Sequence, residues 1–146
     1  YKVGCVGKIT SFNETHDKRY LINLNGLSKF FLLEEMDVIH DFRIFKVKYK
    51  IHNFNFNKFD KNSFNRNLFI EKVKLYFENK NLTLDKESFI KIEDISLIIL
   101  VSTICPFDSN EKQMLLESEN INILTKTVMA LLNSSTNENL NYETIN

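Results

Sequence analysis

The chain has 146 residues, 43% of them hydrophobic and 12% aromatic, which is enough for a packed core and excludes a disordered protein. Nineteen basic residues balance nineteen acidic ones, so bulk charge supplies no drive towards nucleic acid. The longest apolar run, residues 95–104, is too short to span a bilayer, and the start at Tyr1 carries no signal-peptide pattern, so a cytoplasmic protein is expected.

In chain order, residues 3–12 read as a strand and the polar stretch 13–18 as a hairpin turn. Residues 19–24 return, with Tyr20, Ile22 and Leu24 alternating against Arg19, Leu21 and Asn23. Asn25-Gly26 is a strong turn signal. Strands at 27–35 and 43–51 follow. In the second, Phe45, Val47, Tyr49 and Ile51 alternate with Lys46, Lys48 and Lys50, giving one buried and one solvated face. Four strands on short turns predict an antiparallel, barrel-like sheet over residues 1–52. Residues 53–67, rich in Asn and Phe, read as a connecting segment.

The period then changes. Phe69, Val73, Tyr76 and Phe77 follow helical spacing, with Leu68 and Leu75 widening the stripe. Asp85 is placed to cap a short helix through Ile92, and Asp94 to cap a helix over 95–104 that is apolar on nearly every side and so central. Pro106 cannot continue that helix. Asp108 with Glu111 three residues on is an N-cap with its capping-box partner. Asn120 is placed to cap a last helix carrying Ile121, Leu124, Val128, Leu131 and Leu132 on one face. The predicted helical bundle spans 68–133, and 134–146 read as a polar tail.

Catalytic constellations are absent from the sequence. His16, His40 and His52 fall in different elements, without H-E-x-x-H or zinc-spaced cysteines, and read as surface residues. Gly4 and Gly7 form no phosphate loop; they read as sites of close backbone approach or a bulge. Neither metal nor other cofactor is called for. Cys5 and Cys105 both lie among apolar residues and read as buried free thiols. The lysines at 46, 48 and 50 suit a phosphate backbone, but a solvated sheet face explains them better. Phe54, Phe56, Phe59 and Phe64 are the candidate binding residues. Aromatics in a connecting segment either form an apolar patch for unfolded peptide or pin that segment to the bundle, and pinning is the favoured role.

Two stretches resemble the Lon protease N-terminal domain, the substrate-recruiting module that also occurs as a stand-alone bacterial protein. Cys105-Pro-Phe-Asp-Ser-Asn-Glu-Lys-Gln-Met-Leu-Leu-Glu117 matches the family's E-K-Q-x-L-L-E run, and its C-P-F-D opening is closer to the stand-alone branch. Val3-Gly-Cys-Val-Gly-Lys-Ile9, then Asp17-Lys-Arg-Tyr-Leu-Ile22 and Gly26-Leu-Ser-Lys-Phe30, match V-G-x-x-G/A-x-I, D-G-R-Y and G-x-x-R-F. Lys18 stands in place of the turn glycine, Lys29 in place of arginine, and Leu124 where the family often has arginine.

The resemblance implies an α+β fold: a PUA-like antiparallel β-barrel, its amino-terminal strands missing here, followed by an α-helical bundle. It implies a non-catalytic role, recognition of unfolded or apolar polypeptide segments, with a protease as a further partner and a groove at the seam of barrel and bundle. This chain carries no ATPase motif or Ser-Lys dyad. The rival expectations are a fragment of a full ATP-dependent Lon protease, against which the polar ending argues, and RNA binding through the basic strand face of a PUA-like barrel.

Overall fold

The computed structural model describes residues 1–37, 41–49, 56–83, 89 and 91–142, with backbone alone at 57 and 135–142. The chain divides into two compact units, Tyr1–Asn53 and Phe54–Asn146.

The first unit is a three-stranded antiparallel sheet in the order β1-β2-β3, formed by β1 (Val3–Glu14), β2 (Tyr20–Met36) and β3 (Ile44–Tyr49). The described strands do not close into a barrel. The turn between β1 and β2 is held by Thr15, whose N–H donates to the Arg19 carbonyl at 2.8 Å and whose carbonyl accepts from the Lys18 N–H at 2.9 Å. Lys18 sits at φ 61°, in the left-handed region that favours glycine. The glycine of the D-G-R-Y pattern therefore has a backbone reason, and lysine here meets the same demand under strain.

Asn25-Gly26 does not turn. β2 runs through it as one 17-residue strand, because the segments on both sides pair with β1 and not with each other. Val6 faces Ser28 and Gly7 faces Gly26, so Leu27 is the extra residue of a bulge. Further register shifts leave Thr10 on β1 and Leu33 on β2 as extra residues. Gly4 gives the Phe30 ring of its partner residue room: a Cβ there would lie 2.5 Å from that ring and would force it to shift.

The alternation in the strands is real, but the expected burial is not. Phe12 pairs with Ile22 and Ile9 with Leu24, which puts these four and Tyr20 on one face of the β1–β2 ribbon. All five are exposed. No described residue of this unit is fully buried, and Cys5 is exposed, contrary to expectation. On β3, Phe45 and Val47 are half-buried while Lys46 and Lys48 are exposed; Lys50 and Ile51 fall outside the described residues.

The second unit holds the core. A 3₁₀ turn, Phe56–Lys58, precedes α1 (Arg66–Asn79), α2 (Asp94–Ile104), α3 (Ser109–Glu117) and α4 (Ile121–Tyr142). The predicted stripe on α1 is the buried one: Phe69, Val73, Tyr76 and Phe77. Leu68 and Leu75 are exposed, so the stripe is narrower than the sequence suggests. The helix closes with the paired bonds of a Schellman motif, Leu82 N–H to the Phe77 carbonyl at 2.8 Å and Asn81 N–H to that of Glu78 at 3.0 Å, with Asn81 at φ 54°.

The turn around Pro106 forms as its residues predict. Asp108 accepts from the Glu111 N–H at 2.8 Å, and Glu111 accepts from the Asp108 N–H at 2.7 Å. Asn120 caps α4 by accepting from the Ile123 N–H at 3.0 Å. Asp94 does not cap α2; Glu93 holds the cap position without a side-chain bond. Asp94 instead pairs at 2.5 Å with Arg66, which also donates to the carbonyls of Phe89 and Ile92 at 2.9 and 2.8 Å. A carboxylate facing a guanidinium gains more than one facing a single N–H.

Helix α2 is not buried all round. Leu97, Ile98 and Val101 enter the core, whereas Ile99 and Ile104 are exposed. α4 lays Ile121, Leu124, Val128, Leu131 and Leu132 on the core as its period predicts. Its backbone then continues to Tyr142, past the expected end at Asn133, through a stretch with no glycine or proline to stop it. The proposed cap at Asp85 lies outside the described residues.

Candidate functional site

The four candidate phenylalanines separate. Phe54 is outside the described residues, and Phe56 is exposed. Phe59 and Phe64 pack against the helical core. Their rings form a chain with the core: Phe59 to Phe64 at 5.5 Å, and Phe64 to Phe69 at 5.4 Å, both tilted by 58°. That is the offset, tilted geometry aromatic pairs prefer.

Between these rings and α4 lies a cleft of about 420 Å³. Its apolar walls are Phe59, Phe64, Leu68, Phe69, Met129 and Ala130. Asp60, Ser63, Asn65, Asn122, Thr125, Lys126 and Asn133 supply its polar atoms. The α4 members, at 122, 125, 126, 129, 130 and 133, recur at helical spacing and make one face of that helix. Sequence reasoning missed this wall. The signal was there in Met129-Ala130, which flank the assigned stripe: Met129 is half-buried against the core and Ala130 is exposed.

The segment 58–65 is a shaped lip. Asn122 donates to the Lys58 carbonyl at 2.8 Å and accepts from the Asp60 N–H at 3.1 Å, fastening the lip to the start of α4. Asp60 accepts from the Asn62 N–H at 3.1 Å, and the Ser63 hydroxyl donates to the Asp60 carbonyl at 3.1 Å. Asn65 caps α1 by accepting from the Leu68 N–H at 3.0 Å. These side-chain bonds hold the aromatic wall in place. The lining includes neither His nor Cys. Chemically the cleft can hold an apolar group under a hydrogen-bonding rim.

Outside the cleft, two buried groups carry shifted ionisations. Burial pushes the Cys105 thiol up to about 12, and burial with nearby Cys105 and Glu111 pushes Tyr76 up to about 12. A thiol held protonated is a poor nucleophile. His16 is exposed, and His40 and His52 are outside the described residues. Lys46 is within 3.1 Å of Glu34, so the basic face of β3 is partly neutralised by its neighbour strand.

The match of a family model decides the kinship. Residues 1–134 match the substrate-binding domain of the ATP-dependent protease La (LON). The chain belongs to the Lon substrate-binding domain family. The match spans both units, so the sheet and the helices are parts of one family module. The Lon family part concerned is a substrate-binding and not a catalytic one. No curated protein matches the chain. Among the described residues of this Lon-family chain, no helix is long and apolar enough to cross a membrane.

Proposed function

We propose that this chain recognises unfolded, apolar-rich polypeptide and recruits it for proteolysis, without catalysing the cleavage. The observation that carries this is the match to the Lon substrate-binding domain over residues 1–134. Two physical features support it. The first unit presents Ile9, Phe12, Tyr20, Ile22 and Leu24 on one exposed ribbon face, and the second unit has an apolar cleft. Recognition by apolar surface is indifferent to folded, polar exteriors and favours chains whose core residues are exposed. The role is that of an adaptor for an ATP-dependent protease.

The test is a titration of a labelled, reduced and unfolded protein, the same protein folded, and an RNA hairpin, each at low and high salt. Binding of the unfolded form alone, retained at high salt, is expected. Phosphate contacts would instead weaken steeply with salt. Salt-sensitive binding to RNA with none to the unfolded protein would replace this reading with nucleic-acid recognition.

A further inference from the structure

The helical unit contains a site that family membership does not locate. We propose that the cleft between segment 58–65 and α4 receives one large apolar side chain of a bound polypeptide, aromatic before aliphatic. This rests on the polypeptide-recognition reading.

Size comes first. About 420 Å³ lies near the lower end of the roughly 300–1,000 Å³ range of small-ligand pockets. It holds a single side chain and the backbone beside it.

Shape comes second. Phe59, Phe64 and Phe69 already stack in series at 5.4–5.5 Å with equal tilts. A further ring entering between Phe59 or Phe64 and Met129 would extend that series, and thioether–ring contact is favourable at the opposite wall. An aliphatic side chain gains the burial without the ring geometry.

The rim comes third. The polar groups of α4 stand at both ends of its cleft-lining face, with Met129 and Ala130 between them. A passing polypeptide can keep its peptide groups hydrated over the polar ends while one side chain is desolvated at the centre. Asn122 is bonded to Lys58 and Asp60 and so is committed to holding the lip. The walls therefore exist before the ligand arrives, which lowers the ordering cost of binding.

The three methionines give a direct test. Met129 lines the cleft, whereas Met36 and Met114 are exposed elsewhere. The whole chain, labelled at its methionine methyls, would be titrated with the unfolded protein and with a short Gly/Ser peptide bearing one Phe, one Leu or neither. The expected result is a shift of Met129 alone, with the Phe peptide at least threefold tighter than Leu and no shift with Gly/Ser. Ala130→Phe, at an exposed position of the α4 wall, should plug the cleft and weaken the Phe peptide at least tenfold. Asn122→Ala should weaken it about fivefold by releasing the lip, with helix content unchanged. Binding of unfolded protein that moves Met36 or Met114 but not Met129, or that survives Ala130→Phe within twofold, would overturn the cleft and leave polypeptide recognition standing. A Met129 signal that follows protein concentration and not peptide would put a second copy of the chain there, and also overturn it. Failure of the unfolded protein to bind at all would remove the underlying reading and the site with it.

Discussion

Two neighbouring isoleucines on α2 offer a controlled test of how the bundle is built. Ile98 is fully buried and Ile99 is 37% exposed, on the same helix and one residue apart. Replacing each by alanine deletes the same three carbons. At about 0.8 kcal/mol per buried CH₂, the transfer loss at position 98 is about 2.4 kcal/mol, and an enclosed cavity raises the total to about 2–5 kcal/mol. At position 99 about two-thirds of the transfer loss applies, water fills the gap, and alanine's helix propensity returns up to about 0.7 kcal/mol. The expected cost there is about 1 kcal/mol. Urea denaturation followed by far-ultraviolet circular dichroism reads the helical unit directly. Ile98→Ala should lower the midpoint clearly more than Ile99→Ala, at unchanged m-value. Costs within about 0.5 kcal/mol of each other would refute the one-sided burial of α2. Two high values would mean a helix buried all round, and two low ones a peripheral helix.

Asp108→Ala removes one half of the capping box and should destabilise the helical unit by about 1 kcal/mol in the same assay. One thiol, Cys5, should react quickly with Ellman's reagent in the native chain and both after denaturation; two fast native thiols would contradict the burial of Cys105. Cys105 and Tyr76 have folded-state values of about 12 against ordinary values of 9.0 and 10.0, so the unfolded chain loses these protons first as pH rises. Their contribution is complete below about pH 9 and should fall towards pH 12 by up to about 1.4 kcal/mol per pH unit for each group, with Cys105→Ala flattening the onset near pH 9. The purified chain should neither degrade casein nor turn over ATP, and either activity surviving a mock-purification control would refute the non-catalytic role.

Much of the helical unit was legible because its signals are local. A cap needs a short polar side chain and free N–H groups within one turn, so Asp108–Glu111 and Asn120 could be read directly. Asp94 misled because a side chain able to cap can do something better. Arg66 comes from 28 residues away, and nothing near Asp94 announces it. Asn25-Gly26 misled for a related reason: it marks a hairpin only where the flanking runs pair with each other. Here both pair with β1, and the irregularity becomes a bulge at Leu27. Lys18 shows the reverse. Its φ of 61° was visible only as a departure from a family glycine.

Periodicity reports that a face is apolar; it does not report what covers that face. Tyr20, Ile22 and Leu24 alternate as a buried strand would, yet with Ile9 and Phe12 they stand exposed on the ribbon. The same limit hid half of the candidate site. Phe59 and Phe64 drew notice as aromatics in a polar connector, and they do form one wall of the cleft. The opposite wall belongs to α4, whose inward stripe satisfies the helical pattern and leaves Met129, half-buried at the edge of that stripe, and the exposed Ala130 without an assigned role. Only the fold shows that Met129 and Ala130 share a cleft with two phenylalanines some 65 residues earlier, beside a lip fastened by Asn122. Among the described residues, the flank of the α4 stripe, Met129 with Ala130, meets the aromatic wall of segment 58–65, and neither wall is marked as such by its own periodicity.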